Sequence, residues 1–82
     1  EVEHDMAEIR KFEALMEKDE QIIELRERIA GTASSQLDNG VITSTEYITR
    51  VNEATQAKIN MQTHKVQLIQ ARINYLATIG QL

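Results

Sequence analysis

Leu37-Asp38-Asn39-Gly40-Val41-Ile42-Thr43-Ser44-Thr45-Glu46-Tyr47 sets how this chain folds, because it joins a helix stop, a turn and a helix start in one run. Asp38-Asn39-Gly40 is the stop, since glycine tolerates the left-handed conformation that commonly ends a helix and asparagine is the next best residue for it. Thr43-Ser44-Thr45-Glu46 is the start: Thr43 at the N-cap and Glu46 three residues on can each satisfy the other's free backbone amide. Ile42 and Tyr47 fall where a hydrophobic staple would sit. Two details run the other way. Asp38 places a negative charge at the negative end of the first helix dipole, and Gln36 offers Val41 no apolar partner. The reading that follows is a first coiled-coil helix over 1–37, a tip turn over 38–43 and a second coiled-coil helix over 44–80.

Outward from the turn, both arms repeat in sevens. In the first, Val2, Ile9, Met16, Ile23, Ala30 and Leu37 form one apolar column, and Leu15, Ile22 and Ile29 a second. That is a coiled-coil period. The column between them, Asp5, Phe12, Asp19, Arg26 and Ala33, is largely polar, so two separated seams and two neighbours are expected. In the second arm, Tyr47, Ala54, Met61, Leu68, Tyr75 and Leu82 make one column, while Ile48, Ile69 and Leu76 with Ile59, Val66 and Ile73 make an a/d pair. Asn52, Thr55 and Gln62 interrupt that pair with polar residues, which lowers stability locally and can set register. Lys58, Lys65 and Arg72 run between the seams, where long stems can lie on apolar surface with their charges in water. The fold class is therefore all-α, a long antiparallel two-helix coiled-coil hairpin suited to a multi-helix wall or bundle. Each arm of about 35 residues would extend roughly 50 Å. Ala30-Gly31-Thr32-Ala33-Ser34-Ser35 breaks the pattern with small residues: a weak stretch of helix, or a place where another helix comes close or the helix bends.

Composition agrees with a helical arm that needs a partner. At 82 residues the chain is one unit, and a hairpin of that size buries little apolar area alone. Its 41% apolar content includes only Phe12, Tyr47 and Tyr75 as aromatics, with no proline, tryptophan or cysteine. There is no apolar run long enough to span a bilayer, and a start at Glu1 rather than Met suggests a piece whose targeting and membrane parts lie elsewhere. Net charge is −4, divided between an acidic first arm, −5 over 1–37, and a basic second arm, +2 over 41–82. Opposite arms favour folding back. An acidic arm without aromatic and basic interleaving argues against nucleic acid.

No catalytic, cofactor or metal constellation is legible, so the chain is not expected to be an enzyme. His4 and His64 lie on different arms without a second ligand at metal spacing, and His64, in a column with Arg50, Ala57, Ala71 and Thr78, reads as a solvated or lightly packed surface histidine. Ser34 and Ser35 have no neighbouring base, and Gly31, Gly40 and Gly80 form no phosphate loop.

Asn39-Gly40-Val41-Ile42-Thr43, then Tyr47-Ile48, then Ala71-Arg72-Ile73-Asn74-Tyr75-Leu76 and Gly80 resemble the last periplasmic helical hairpin of TolC-family outer-membrane efflux channels, over about Leu25 to Leu82. The resemblance implies part of a larger helical barrel, a homotrimeric tunnel crossing the periplasm of a Gram-negative cell and continued as a β-barrel in parts absent here. It also implies two sets of partners: sister hairpins along the wall, and a periplasmic adaptor protein met by the tip, with Asn39, Gly40, Val41, Ile42 and Thr43 as the contact residues. Ile42 stands where many family tips carry Arg, and the span from Gly40 to Ala71 is about a heptad longer than in some relatives, which leaves the seams in phase. Two other readings stand beside it. One is the hairpin of the adaptor itself, although adaptor tips tend to carry a basic residue ahead of the turn and Thr32 to Asn39 has none. The other is a freestanding coiled-coil scaffold with no transport role. In isolation the hairpin is expected to associate, antiparallel, through the surfaces its neighbours would cover.

Overall fold

A computed structural model describes residues 1–80, which form two helices, α1 (Val2–Asp38) and α2 (Ser44–Thr78). Leu82, the last member of the Tyr47 column, lies outside the described residues. The helices run antiparallel along one another as a hairpin 60 Å long and about 15 Å across. Unbroken helix over arms this long follows from the lack of proline and the abundance of Glu, Leu, Ala, Lys and Arg. The Ala30–Ser35 stretch neither ends nor interrupts α1. Gly31 in it faces open space, whereas Ala33 is the most buried residue described, at 2% exposure. The small residue that serves close approach is thus Ala33.

On α1 the face that joins the two helices is neither of the apolar seams read from the sequence, whereas on α2 it includes one of them. The mostly polar column Asp5, Phe12, Asp19, Arg26 and Ala33 is the centre of the interface on α1: all but Arg26 are buried, and Arg26 is half-buried. On α2 the interface is the Ala54 and Leu68 column together with its neighbour Ala57, His64 and Ala71. The apolar columns that flank the α1 centre are only half covered, and Ile22 and Ile29 are exposed. The reason lies in pairing and size. Alanines at 33, 54, 57 and 71 let the backbones approach, and each polar member of the column finds a partner across the gap.

Those partners also set the register. Thr78 donates its hydroxyl to Asp5 at 2.6 Å, and His64 Nδ1 lies 2.6 Å from Asp19 Oδ2. The acids are two heptads apart on α1 and their partners two heptads apart on α2, so one antiparallel alignment satisfies both. Arg26 donates to Glu53 at 3.0 Å nearer the tip, and Lys58 pairs with Glu27 at 3.4 Å. Among the described residues no buried side-chain polar atom lacks a hydrogen-bond partner. Between the polar layers the apolar centre is small: Phe12, Leu68 and Ala71, with Ile9, Leu15 and Met16 packed against it.

Little else is covered. The accessible surface of 5913 Å² exceeds the roughly 5,000 Å² expected of a compact chain of this mass. Large apolar side chains stay exposed on both helices, Ile48, Ile59, Val66, Ile69 and Ile73 on α2 and Ile22, Leu25 and Ile29 on α1.

Candidate partner-binding tip

The reversal between α1 and α2 is held by hydrogen bonds on both sides. Asn39 caps α1 with its backbone in the bridge region at φ −90° and ψ 3°, and Gly40 takes the left-handed conformation at φ 70°. The Gly40 amide donates to the Leu37 carbonyl at 3.0 Å and the Val41 amide to the Gln36 carbonyl at 2.8 Å. This pair of bonds is the Schellman arrangement, which satisfies the last carbonyls of the helix. The hydrophobic contact that usually accompanies it would join residues 41 and 36. Residue 36 is glutamine, and Val41 is left 68% exposed at the end of the molecule.

On the other side, Thr43 has extended backbone and its hydroxyl accepts from the Glu46 amide at 3.1 Å, while the Glu46 carboxylate accepts from the Thr43 amide at 3.2 Å. The two residues close a reciprocal capping box, and Glu46 also sits at the positive end of the α2 dipole. Ile42 and Tyr47 are half-buried. Ile42 turns back over the hairpin and lines a shallow hollow with Ile29 and Ala33, edged by Arg28, Glu46 and Arg50. The five tip residues therefore divide: Gly40 and Thr43 hold the turn, Ile42 leans on the hairpin, and Asn39 and Val41 face outward. Chemically, such a tip presents an apolar side chain and an amide on a braced loop.

His64 is where the structure departs most from the sequence reading. It is not a solvated surface histidine: its ring is only 25% exposed and faces Asp19 across the interface. Its column of Ala57 and Ala71 is the close-approach face of α2, a placement that depends on which column of α1 lies opposite. The repeat of Asp5 and Asp19 at heptad spacing, in step with His64 and Thr78, was the one signal in the sequence that could have found it. Among the described residues no group of three His, Cys, Asp or Glu side chains could hold a metal ion, and no helix is long and apolar enough to cross a membrane.

Comparison with known protein families, with curated proteins and with solved structures found no match.

Proposed function

We propose that this chain is a periplasmic coiled-coil hairpin of a trimeric outer-membrane efflux or export channel of the TolC type, with its tip docking a periplasmic adaptor protein. One observation carries the reading beyond the resemblance of the tip and the Ala71–Leu76 run. Apolar residues stand uncovered on both helices, Ile22, Leu25 and Ile29 on α1 and Ile59, Val66 and Ile69 on α2, while polar pairs, alanines and the small Phe12–Leu68 centre join the helices to each other. A helix pair in a tunnel wall needs that arrangement, because each helix must offer apolar surface to a further neighbour. The outward Val41 on a turn braced from both sides suits a contact made end to end with another hairpin.

Two measurements test the reading. An immunoblot of fractionated source cells, with an antibody against this hairpin, is expected to give a band several times heavier than the chain and confined to the outer membrane. A band in the inner-membrane fraction would place the hairpin in the adaptor instead, and a small soluble band would leave only a coiled-coil scaffold. In the parent protein, Val41→Asp is expected to abolish co-purification of the adaptor while leaving the level and trimeric state of the channel unchanged. Undiminished co-purification would remove the tip from the docking surface.

A further inference from the structure

The side of α2 turned away from α1 is uncovered along most of its length. Residues 48, 52, 55, 59, 62, 66, 69, 73 and 76 recur at alternating spacings of four and three, an a/d register of about four heptads and roughly 40 Å in which Asn52, Thr55 and Gln62 are polar. Its apolar members, Ile48, Ile59, Val66, Ile69, Ile73 and Leu76, are 37% to 63% exposed. We infer that this seam pairs with the same seam of a second copy of the chain, the two α2 helices lying parallel and in register with their tips at the same end.

Residue type argues for this pairing. The a positions are Asn52, Ile59, Val66 and Ile73, and a single asparagine among β-branched a residues specifies register and partner number; Leu76 at d suits a two-stranded coil, whereas Ile48 and Ile69 at d are residues that three- and four-stranded coils also carry. In-register pairing sets Asn52 against Asn52, Thr55 against Thr55 and Gln62 against Gln62, so every polar side chain of the seam meets a group able to hydrogen-bond it. A slip of one heptad would bury Asn52 against Ile59 and Gln62 against Ile69, and an unpaired buried amide is costly.

Charge decides the orientation. The column beside the d positions carries Lys58, Lys65 and Arg72, and the column beside the a positions carries Thr49, Gln56, Thr63, Gln70 and Ala77, with no charge. In a parallel pair the basic column of one helix faces the neutral column of the other, which brings Lys65 near Gln70 and Lys58 near Thr63. In an antiparallel pair the two basic columns would face each other, Lys and Arg against Lys and Arg. The antiparallel association expected from the sequence is therefore disfavoured for this surface. Lys58 already pairs with Glu27 of its own hairpin, but the described residues give no such ion pair to Lys65 or Arg72. The pairing is also sterically open, since α1 lies against the opposite side of α2. The pairing takes the α2 surface that the transport reading gives to a neighbouring wall helix, so it is a property of the hairpin on its own and stands apart from that reading.

The chain has no cysteine, so single cysteines report the arrangement directly. The full chain is expected to sediment as a dimer at micromolar concentration. Asn52→Cys and Ile73→Cys, each alone, are expected to oxidise to a disulfide-linked dimer, and a mixture of the two should give like-with-like products. Val66→Asp, which buries an unpaired charge only in the pair, is expected to weaken dimerisation by roughly 100-fold or more, whereas Leu25→Asp on α1 should leave it unchanged. Circular dichroism reports whether each variant keeps its helices. If Val66→Asp unfolds, the cysteine pattern alone decides. A monomer, a dimer in which neither cysteine variant oxidises to the linked form, or dissociation by Leu25→Asp instead of Val66→Asp would overturn the proposal.

Discussion

At the scale of the residue, glycine makes the sharpest contrast. Gly31 and Gly40 both face open space, so no other part of the molecule stands in the way of a methyl group at either. They differ in backbone: Gly31 lies inside α1, while Gly40 holds φ 70°. Gly31→Ala removes the conformational freedom of glycine from the unfolded chain and is expected to stabilise the hairpin by about 0.5–1 kcal/mol. Gly40→Ala forces a side chain into the left-handed region and is expected to destabilise it by about 1 kcal/mol or more. Thermal melts of the two variants at one protein concentration check both signs, and equal shifts would contradict the assigned backbone states.

At the scale of the element, the hairpin is held by a column that alternates polar pairs with small apolar contacts. Asp19 is 6% exposed, so its carboxylate depends on His64 for a partner within the interface. Asp19→Leu or His64→Leu alone strands the other group, at a cost of about 1–3 kcal/mol. Replacing both with leucine is expected to recover most of that loss or to exceed the original stability, since paired buried polar groups are often no better than well-packed apolar ones. A double-mutant cycle by denaturant melts would show the coupling. Additive losses would mean that the two side chains do not meet. The double variant should also slip in register more readily, because one of the two layers that align the arms at heptad steps is gone.

At the scale of the whole molecule, the balance is between an extended shape and a thin core. Among the described residues, Phe12, Leu68 and four alanines are the apolar ones that the hairpin buries. A chain of this size with so little enclosed depends on further burial against a neighbour. Its melting temperature is therefore expected to rise with protein concentration, as mass action requires when association and folding are coupled. Melts over a hundredfold range of concentration that coincide would show the hairpin to be stable on its own.

The local parts of this architecture were legible in the amino acids alone. Gly40 at the stop, Thr43 with Glu46 at the start, and the sevenfold spacing of apolar residues each act over a few residues, so they state two long helices and a reversal without reference to anything distant. Even the missing apolar partner of Val41 could be read from Gln36, and the structure leaves that valine in solvent. What the sequence could not rank was the faces. Each arm carries more than one heptad column, and ranking by hydrophobicity sets Asp5, Asp19 and Arg26 on the outside. Their burial follows from Thr78, His64 and Glu53, which are 73, 45 and 27 residues away and come into reach only when one alignment of the arms is chosen. Polar groups cost free energy in an interface unless paired, and pairing is a property of two helices in register. The tertiary structure alone decided which columns face inward, and so which apolar seams were left for a partner.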